Sequence, residues 1–205
     1  EYLEVKHVIG VASGSDALLL SLHAMDIGPG DKVIVPTFTF FATAGAVSRL
    51  GATPVFVDID PTNYNLDLNQ VENCLQKDPG VKAIIPVHLF GLPCDMVRIM
   101  ELAAQYGLYV IEDACQAINA DVFLKNGFQQ KAGTVGHTGC FSFFPSKNLS
   151  CFGDGGALAT NDDALAEKVR ILRVHGSKPK YYHQTVGYNS RLDTLQAAVL
   201  NVKLK

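Results

Sequence analysis

VKAIIPVHLFGLPCDMVRIMELAAQYGLYVIED, residues 81–113, carries the decision about the fold. "AIIPV" is a continuous apolar run of the kind found in strands buried on both faces, and "LYVIED" at the far end is a second β-rich run. Between them "CDMVRIMELAAQYG" places apolar residues at helical spacing. The same alternation continues toward the N-terminus: "HVIGVAS" precedes "SDALLLSLHAM", "KVIVPT" precedes "FFATAGAVSRL", and "TPVFVDI" precedes "DLNQVENCLQ". Repeated strand–helix alternation predicts an α/β fold of three layers, α/β/α, with a mostly parallel sheet and helices on both faces. Residues 118–136, rich in Gly, Asn, Gln and Lys, are predicted as an exposed loop or hairpin, and "HTGCFSFF" and "GGALATN" as two further strands. There is no internal repeat and no linker. In open sheets of this kind ligands gather beyond the carboxyl ends of the strands, so the residues after each strand are where chemistry is sought.

Composition narrows the partners. The chain has 205 residues, 48% of them hydrophobic, with 17 basic against 20 acidic residues. That suits one globular unit binding small molecules, and the near-neutral balance without a long basic run argues against nucleic acid. No apolar run reaches the roughly 18 residues of a membrane span, and no signal peptide is recognisable, so no membrane is expected and the cytoplasm is the expected compartment. The five cysteines, Cys74, Cys94, Cys115, Cys140 and Cys151, form no C-x-x-C pair, so reduced thiols are expected and no metal site.

Three post-strand segments carry the chemistry. In "SGSDALLL" Gly14 permits a tight turn, Ser15 is read as the cap of a helix, and the amides of Ser15 and Asp16 are expected to point out of the first turn as an anion site. In "EDACQA" Asp113 and Gln116 stand three apart and are read as sharing a face of the first turn of a helix. A carboxylate buried at a strand end demands a cationic partner, and the protonated ring nitrogen of pyridoxal phosphate is one. In "CFSFFPSKNLS", residues 140–150, Lys147 sits among loop-forming, apolar neighbours. A desolvated lysine becomes a nucleophilic amine able to form a Schiff base with an aldehyde, and Ser142 could place a hydroxyl on the same cofactor's phosphate. Neither G-x-G-x-x-G nor a lysine-bearing phosphate loop occurs, which removes the support for a dinucleotide site.

The ordered set "SGSDALLLSL", "PTFTFFATAGAV", "GATPVFVDIDP", "PVHLFGLPCDM", "VIEDACQA", "GCFSFFPSKNL", "GDGGALATND" and "GYNSRLDTLQAAVL" resembles the DegT/DnrJ/StrS family of sugar aminotransferases over essentially the whole chain. The resemblance implies the large domain of a fold-type I pyridoxal phosphate enzyme and a homodimer with shared active sites. It implies Lys147 as the Schiff-base lysine, Asp113 as partner of the pyridine nitrogen and Gln116 at the ring hydroxyl. It further implies Ser15, the Asp16 amide and Ser142 at the phosphate, Phe40 over the ring face, and Asn189 reaching the phosphate of the neighbouring subunit.

The implied activity is transfer of an amino group from an amino acid, with glutamate the expected donor, to a nucleotide-linked keto sugar, with a lean toward 3-keto sugars on dTDP or UDP. The alternatives are a pyridoxal-dependent 3-dehydratase, which carries histidine where Lys147 stands, and a non-catalytic regulatory or accessory protein. The chain departs from the family at Ser15 (usually threonine), at Ile118-Asn119-Ala120 (commonly His-Gly-Ala) and at Ser150 (a frequent glycine). It also opens on "EYLEVKHVIGVASG" and stops within the helical pattern "AAVLNVKLK", so residues 1–205 are expected to be a fragment without the family's leading segment and C-terminal small domain. His88, His175 and His183 are expected to be hydrogen-bonded structural residues.

Overall fold

A computed structural model describes residues 2–125 and 127–204. Its main sheet contains β1 (His7–Val11), β2 (Lys32–Pro36), β3 (Thr53–Val57), β4 (Val81–Ile84), β5 (Tyr109–Asp113), β8 (Thr138–Ser142) and β9 (Gly156–Thr160), in the order β1-β9-β8-β5-β4-β2-β3. Pairing is parallel throughout except at β9, which runs antiparallel to both β1 and β8. The fold is therefore the mostly parallel α/β arrangement expected. Residues 118–136 include a hairpin of β6 (Asp121–Phe123) and β7 (Gln129–Lys131), also as expected.

Both faces of the sheet are covered because neighbouring strand residues point to opposite sides. Val33 and Val35 of β2, Ile111 of β5 and Cys140 of β8 join the apolar layer of α1 (Gly14–Ala24), α2 (Ala42–Arg49) and α5 (Asp163–Leu172). Ile34, Val110 and Phe141, one residue away in the same strands, join the layer of α3 (Leu68–Lys77) and α4 (Met96–Tyr106). Helix starts are set by short polar side chains: Asp67, Asp95 and Asp162 each accept backbone N–H groups at the heads of α3, α4 and α5. Gly107, at a φ of 67°, closes α4 in the left-handed conformation.

The connection from β8 to β9, residues 143–155, is a long excursion closed at its base. Phe143 N donates to Gly155 O at 2.8 Å and Cys151 N to Phe143 O at 2.7 Å. The last helix, α6 (Thr194–Lys203), braces this loop from outside: Gln196 Oε1 accepts Phe152 N at 2.8 Å, and Lys203 Nζ reaches Ser150 O at 2.8 Å. Ser150 is absent from the positive-φ residues, so its backbone does not need glycine.

Candidate active site

At the carboxyl end of the parallel strands lies a cavity of about 410 Å³. Five loops wall it: Ser13–Ser15 after β1, Thr39 and Phe40 after β2, Val87 and Leu89 after β4, Asp113–Gln116 at and after β5, and Ser142–Lys147 after β8. Because β9 runs the other way, its preceding residues Asp154 and Gly155 reach the same end. Of the expected site residues, Ser15, Phe40, Asp113, Gln116, Ser142 and Lys147 line this one cavity. Asp16 and Asn189 do not.

Two local expectations need correction. The cap of α1 is Ser13 and not Ser15: Ser13 Oγ accepts Asp16 N at 3.1 Å. The Asp16 amide is thereby committed to the cap, which leaves Gly14 and Ser15 as the first-turn residues that face the cavity. The S-x-x-D spacing of Ser13 and Asp16 is itself a capping signal, and it would have identified the right serine. Gly14 admits no side chain, since a Cβ there would stand 2.6 Å from Cys115 Sγ and 2.8 Å from Ser142 Cβ. That close approach seats the head of α1 directly against the end of β8.

The second correction concerns "EDACQA", which is not helical. Asp113 is the last residue of β5, and two successive turns follow, with Ala117 N donating to Ala114 O and Ala120 N to Ala117 O at 3.0 Å each. The backbone of Asp113 is held to the segment that continues β4, its N–H by Pro86 O at 2.9 Å and its carbonyl by His88 N at 3.0 Å, and the next residue is tied to β8 through Ala114 N and Cys140 O at 2.9 Å. Asp113 and Gln116 still meet at the cavity, but through the turn and not through a shared helix face.

Asp113 is 6% exposed. Thr43 Oγ1 donates to its Oδ2 at 3.0 Å, and Cys115 N to its Oδ1 at 3.3 Å. A carboxylate has no proton to give, so the Thr43 proton points at Asp113 and Thr39 Oγ1, 3.0 Å from Thr43 Oγ1, must donate inward in turn. Neither threonine was picked out by sequence reasoning, although "TFTFFAT" contains both. The Cys115 thiol also lies against this carboxylate. Gln116 accepts Phe90 N on Oε1 at 2.9 Å, which leaves its amide nitrogen as a donor. Lys147 is half-buried, and among the described residues its Nζ has no hydrogen-bond or ion-pair partner.

The thiols around this cavity are held neutral. Burial pushes the Cys115 thiol well above its ordinary range, reinforced by the Asp113 charge, and burial does the same to Cys140. All five cysteines are free, as expected.

A second carboxylate, Glu112, was not anticipated. It is fully buried on the opposite face and accepts His88 Nε2 at 2.8 Å, Gly133 N at 2.8 Å, Val135 N at 2.7 Å and Gly136 N at 2.6 Å. Its partners come from distant loops, so no local spacing announces it. Burial opposes a charge on His88 and Glu112 favours one; Cys94 N, donating to Nδ1 at 3.1 Å, decides for the neutral Nε2–H tautomer. His88 is thus a structural residue. His175 and His183 lie away from the cavity, His183 Nδ1 bonding to His175 O at 2.9 Å.

The sequence model of the DegT/DnrJ/EryC1/StrS aminotransferase family matches residues 1–205. A "pleiotropic regulatory protein" of Geobacillus stearothermophilus is 56% identical over 98% of this chain, which spans 52% of that protein. The UDP-N-acetyl-3-dehydro-alpha-D-glucosamine 3-aminotransferase of Acidithiobacillus ferrooxidans is 56% identical over 97% of this chain and 52% of its own length. DesV of S. venezuelae, solved in complex with a ketimine intermediate, superposes with a TM-score of 0.92 at 48% identity, over 99% of this chain and 53% of that one. The chain therefore spans about half the length of the curated relatives it matches.

Proposed function

The chain belongs to the DegT/DnrJ/EryC1/StrS aminotransferase family, and from that premise we propose that its cavity binds pyridoxal 5'-phosphate for amino transfer to a nucleotide-linked keto sugar. The single observation that carries this is the convergence of Lys147, Asp113, Gln116 and the head of α1 on one cavity. The donor set fits the group: a helix N-terminus for a phosphate at one end, one buried carboxylate for a protonated ring nitrogen, and an unpaired amine between them.

Each residue then has a task. The Gly14 and Ser15 amides and the Ser15 and Ser142 hydroxyls bind the phosphate, with the Asp16 amide supporting them through the Ser13 cap. Asp113 accepts the ring N–H and holds the positive charge there, Gln116 Nε2 donates to the ring hydroxyl, and Phe40 covers a face of the ring and excludes water. Lys147 Nζ would hold the cofactor at its aldehyde carbon, with the aldehyde oxygen lost as water, and once released by the donor's amine it would take the proton from the donor's Cα and return one to the carbon that receives the nitrogen. When bound, the cofactor supplies the electron sink and carries the amino group between the two substrates. The donor, glutamate in our reading, leaves as a keto acid whose carbonyl oxygen comes from water, and the sugar carbonyl becomes an amine with its oxygen lost as water, so no net water is consumed.

The relatives support the sugar class, being named for UDP- and dTDP-linked substrates aminated at C3. Asn189, exposed and outside the cavity, is proposed to reach the phosphate of a second copy in a homodimer with shared sites. The chain is proposed as the large cofactor-binding domain of such an enzyme, acting in the cytoplasm; among the described residues no helix is long and apolar enough to cross a membrane. The name of the Geobacillus stearothermophilus relative favours one second reading, a regulatory protein that binds the cofactor without turning it over. Lys147, in place of histidine, argues against a dehydratase.

The test is the intact gene product with pyridoxal phosphate, glutamate and UDP- or dTDP-linked 3-keto sugars. An absorbance band at roughly 410–430 nm and an amino sugar detected by mass are expected. A band without glutamate-dependent product would support the regulatory reading, and no band would overturn the site.

A further inference from the structure

Lys147 rides on the loop between β8 and β9, and that loop is tied from outside by α6. Loops hold catalytic groups less precisely than strands or helices do, so a loop that carries one needs external ties. Three consecutive residues of this loop, Ser150, Cys151 and Phe152, meet α6. Lys203 Nζ donates to Ser150 O at 2.8 Å and to Ser150 Oγ, Gln196 Oε1 accepts Phe152 N at 2.8 Å, and the Cys151 thiol lies 4.0 Å from Gln196 O. Leu200, the buried residue of α6, belongs to the same apolar cluster as Cys151 and Phe143.

The Lys203 contact is unusual for an exposed lysine. Its amine turns inward to a serine that is only 7% exposed, and among the described residues it has no carboxylate partner. An ammonium group ordinarily stays in water, and its hydrogen bonds to neutral oxygens are charge-assisted, hence stronger than those between neutral groups. The Ser150 hydroxyl supplies the second acceptor, which a glycine there would lack. From Ser150 the tie passes to the base of the loop: Cys151 N donates to Phe143 O at 2.7 Å, and Lys147 N to Phe144 O at 2.8 Å. Space between loop and helix is tight. A Cβ on Gly155 would stand 2.7 Å from Cys151 Sγ, and one on Gly153 would stand 3.2 Å from Gln196 Nε2, so a displacement of α6 is passed on to the loop.

We infer that Lys203 and Gln196 are positioning residues for Lys147, acting through Ser150 and Phe152 to hold the loop where the Lys147 amine does its work. The inference rests on the transfer reading above. In that reading the amine has two tasks, holding the cofactor and moving a proton, and an error of about 1 Å in the placement of such a group can cost about 10²-fold in rate. Neither Lys203 nor Gln196 lines the cavity, so their loss is felt in the rate of the amine's reactions and not in substrate binding.

Lys203→Met keeps the stem and removes the charge, and Gln196→Met removes the acceptor; Lys203→Arg and Gln196→Glu keep one each. The intact protein, freed of cofactor, is mixed with pyridoxal phosphate and its visible band is followed in time; the loaded protein is then assayed with glutamate and a UDP-linked 3-keto sugar. Each Met variant is expected to slow the appearance of the band and to lower kcat per bound cofactor by about tenfold. Both KM values should stay within about twofold of wild type. Lys203→Arg and Gln196→Glu should recover to within about threefold of wild type, a rescue that follows the retained donor or acceptor. Ser150→Ala, which removes one acceptor of two, should lose about threefold, and it carries the test if a Met variant fails to fold. Capture of pyridoxal phosphate at the wild-type rate in the variants that fold would overturn the inference, as would a rise in KM at unchanged kcat. A wild type that captures pyridoxal phosphate in a Lys203-dependent way yet transfers nothing from glutamate would keep the positioning role and overturn the transfer reading.

Discussion

Glu112 and Asp113 are successive residues of one strand, and they face opposite sides of the sheet. On the α4 side, Glu112 is fully buried and receives four donors, three backbone amides and the His88 ring, which fills the acceptor directions a carboxylate has. On the α1–α2 side, Asp113 among the described residues receives Thr43 and the Cys115 amide, has the Cys115 thiol beside it and borders a cavity. The same functional group in adjacent positions thus does two kinds of work. A saturated carboxylate holds loops together, and one with spare acceptor capacity beside a cavity is available to a ligand. The sharpest way to break this contrast is to neutralise each side separately.

The largest effects belong to the cavity side. On the reading proposed above, Lys147→Ala is expected to lower amino transfer by about 10⁴-fold or more, since it removes the amine proposed to move the proton. Asp113→Asn should lower it by about 10²–10³-fold through loss of charge stabilisation. Both should unfold within a few degrees of wild type in a thermal melt, because neither group closes a saturated network. A drop of more than 10 °C for Asp113→Asn, with cofactor absorbance unchanged, would erase the distinction drawn above.

Glu112→Gln should behave in the opposite sense. The new amide nitrogen faces donors that have lost their acceptor, a penalty of about 3–5 kcal/mol for a broken buried charge cluster. For a chain of this size that is a fall in Tm of roughly 6–20 °C. Cofactor affinity at a temperature where the variant is folded is expected to change less than threefold. A stable Glu112→Gln protein that fails to bind cofactor would place Glu112 in the site after all.

This contrast also explains what was legible in the sequence. The alternation of apolar runs and helical spacing exposed the sheet and its helices, because each strand residue's face is decided by its immediate neighbours. Lys147, Asp113, Gln116 and Ser142 were legible as motif residues after strands. Glu112 was not, since its partners lie at residue 88 and at residues 133–136, brought together only by the pairing of β5 with β4 and β8. The helix expected at "EDACQA" failed for a related reason: bonds from Pro86, His88 and Cys140 hold that segment to the sheet, overriding its local spacing. The cap on α1 was misplaced by two residues although the signal at Ser13 was present.

Thr43 offers a finer test of the cavity side. Its hydroxyl is fully buried and its one proton points at Asp113. Thr43→Val keeps the shape and removes the donor, which for a charged acceptor is worth about 1.5–3 kcal/mol. Because part of that loss falls on the free protein as well, about a tenfold weakening of cofactor binding is expected. The pH dependence of the visible absorbance should also shift, and Thr43→Ser should restore both. An unshifted titration in Thr43→Val would leave Thr43 as packing alone.

The smallest effect comes from the two thiols near Asp113, Cys115 and Cys140, which burial keeps neutral. Cys140 and Cys115 are pushed upward by burial, so the folded protein keeps these protons well past the point, about pH 8.5, where unfolded thiols lose them. Below that pH both states hold the protons and the thiols contribute no pH dependence. Above it the unfolded chain releases protons that the folded chain retains, and stability falls as pH rises, by up to about 1.4 kcal/mol per pH unit for each thiol. Urea midpoints at pH 7.5, 9 and 10 should therefore decline, and Cys140→Ala should remove one thiol's share of the slope. A slope that Cys140→Ala leaves intact would mean that Cys140 ionises in the fold. A thiolate behind Asp113 would then make that side of the sheet a two-charge cluster like no other arrangement the cavity suggests.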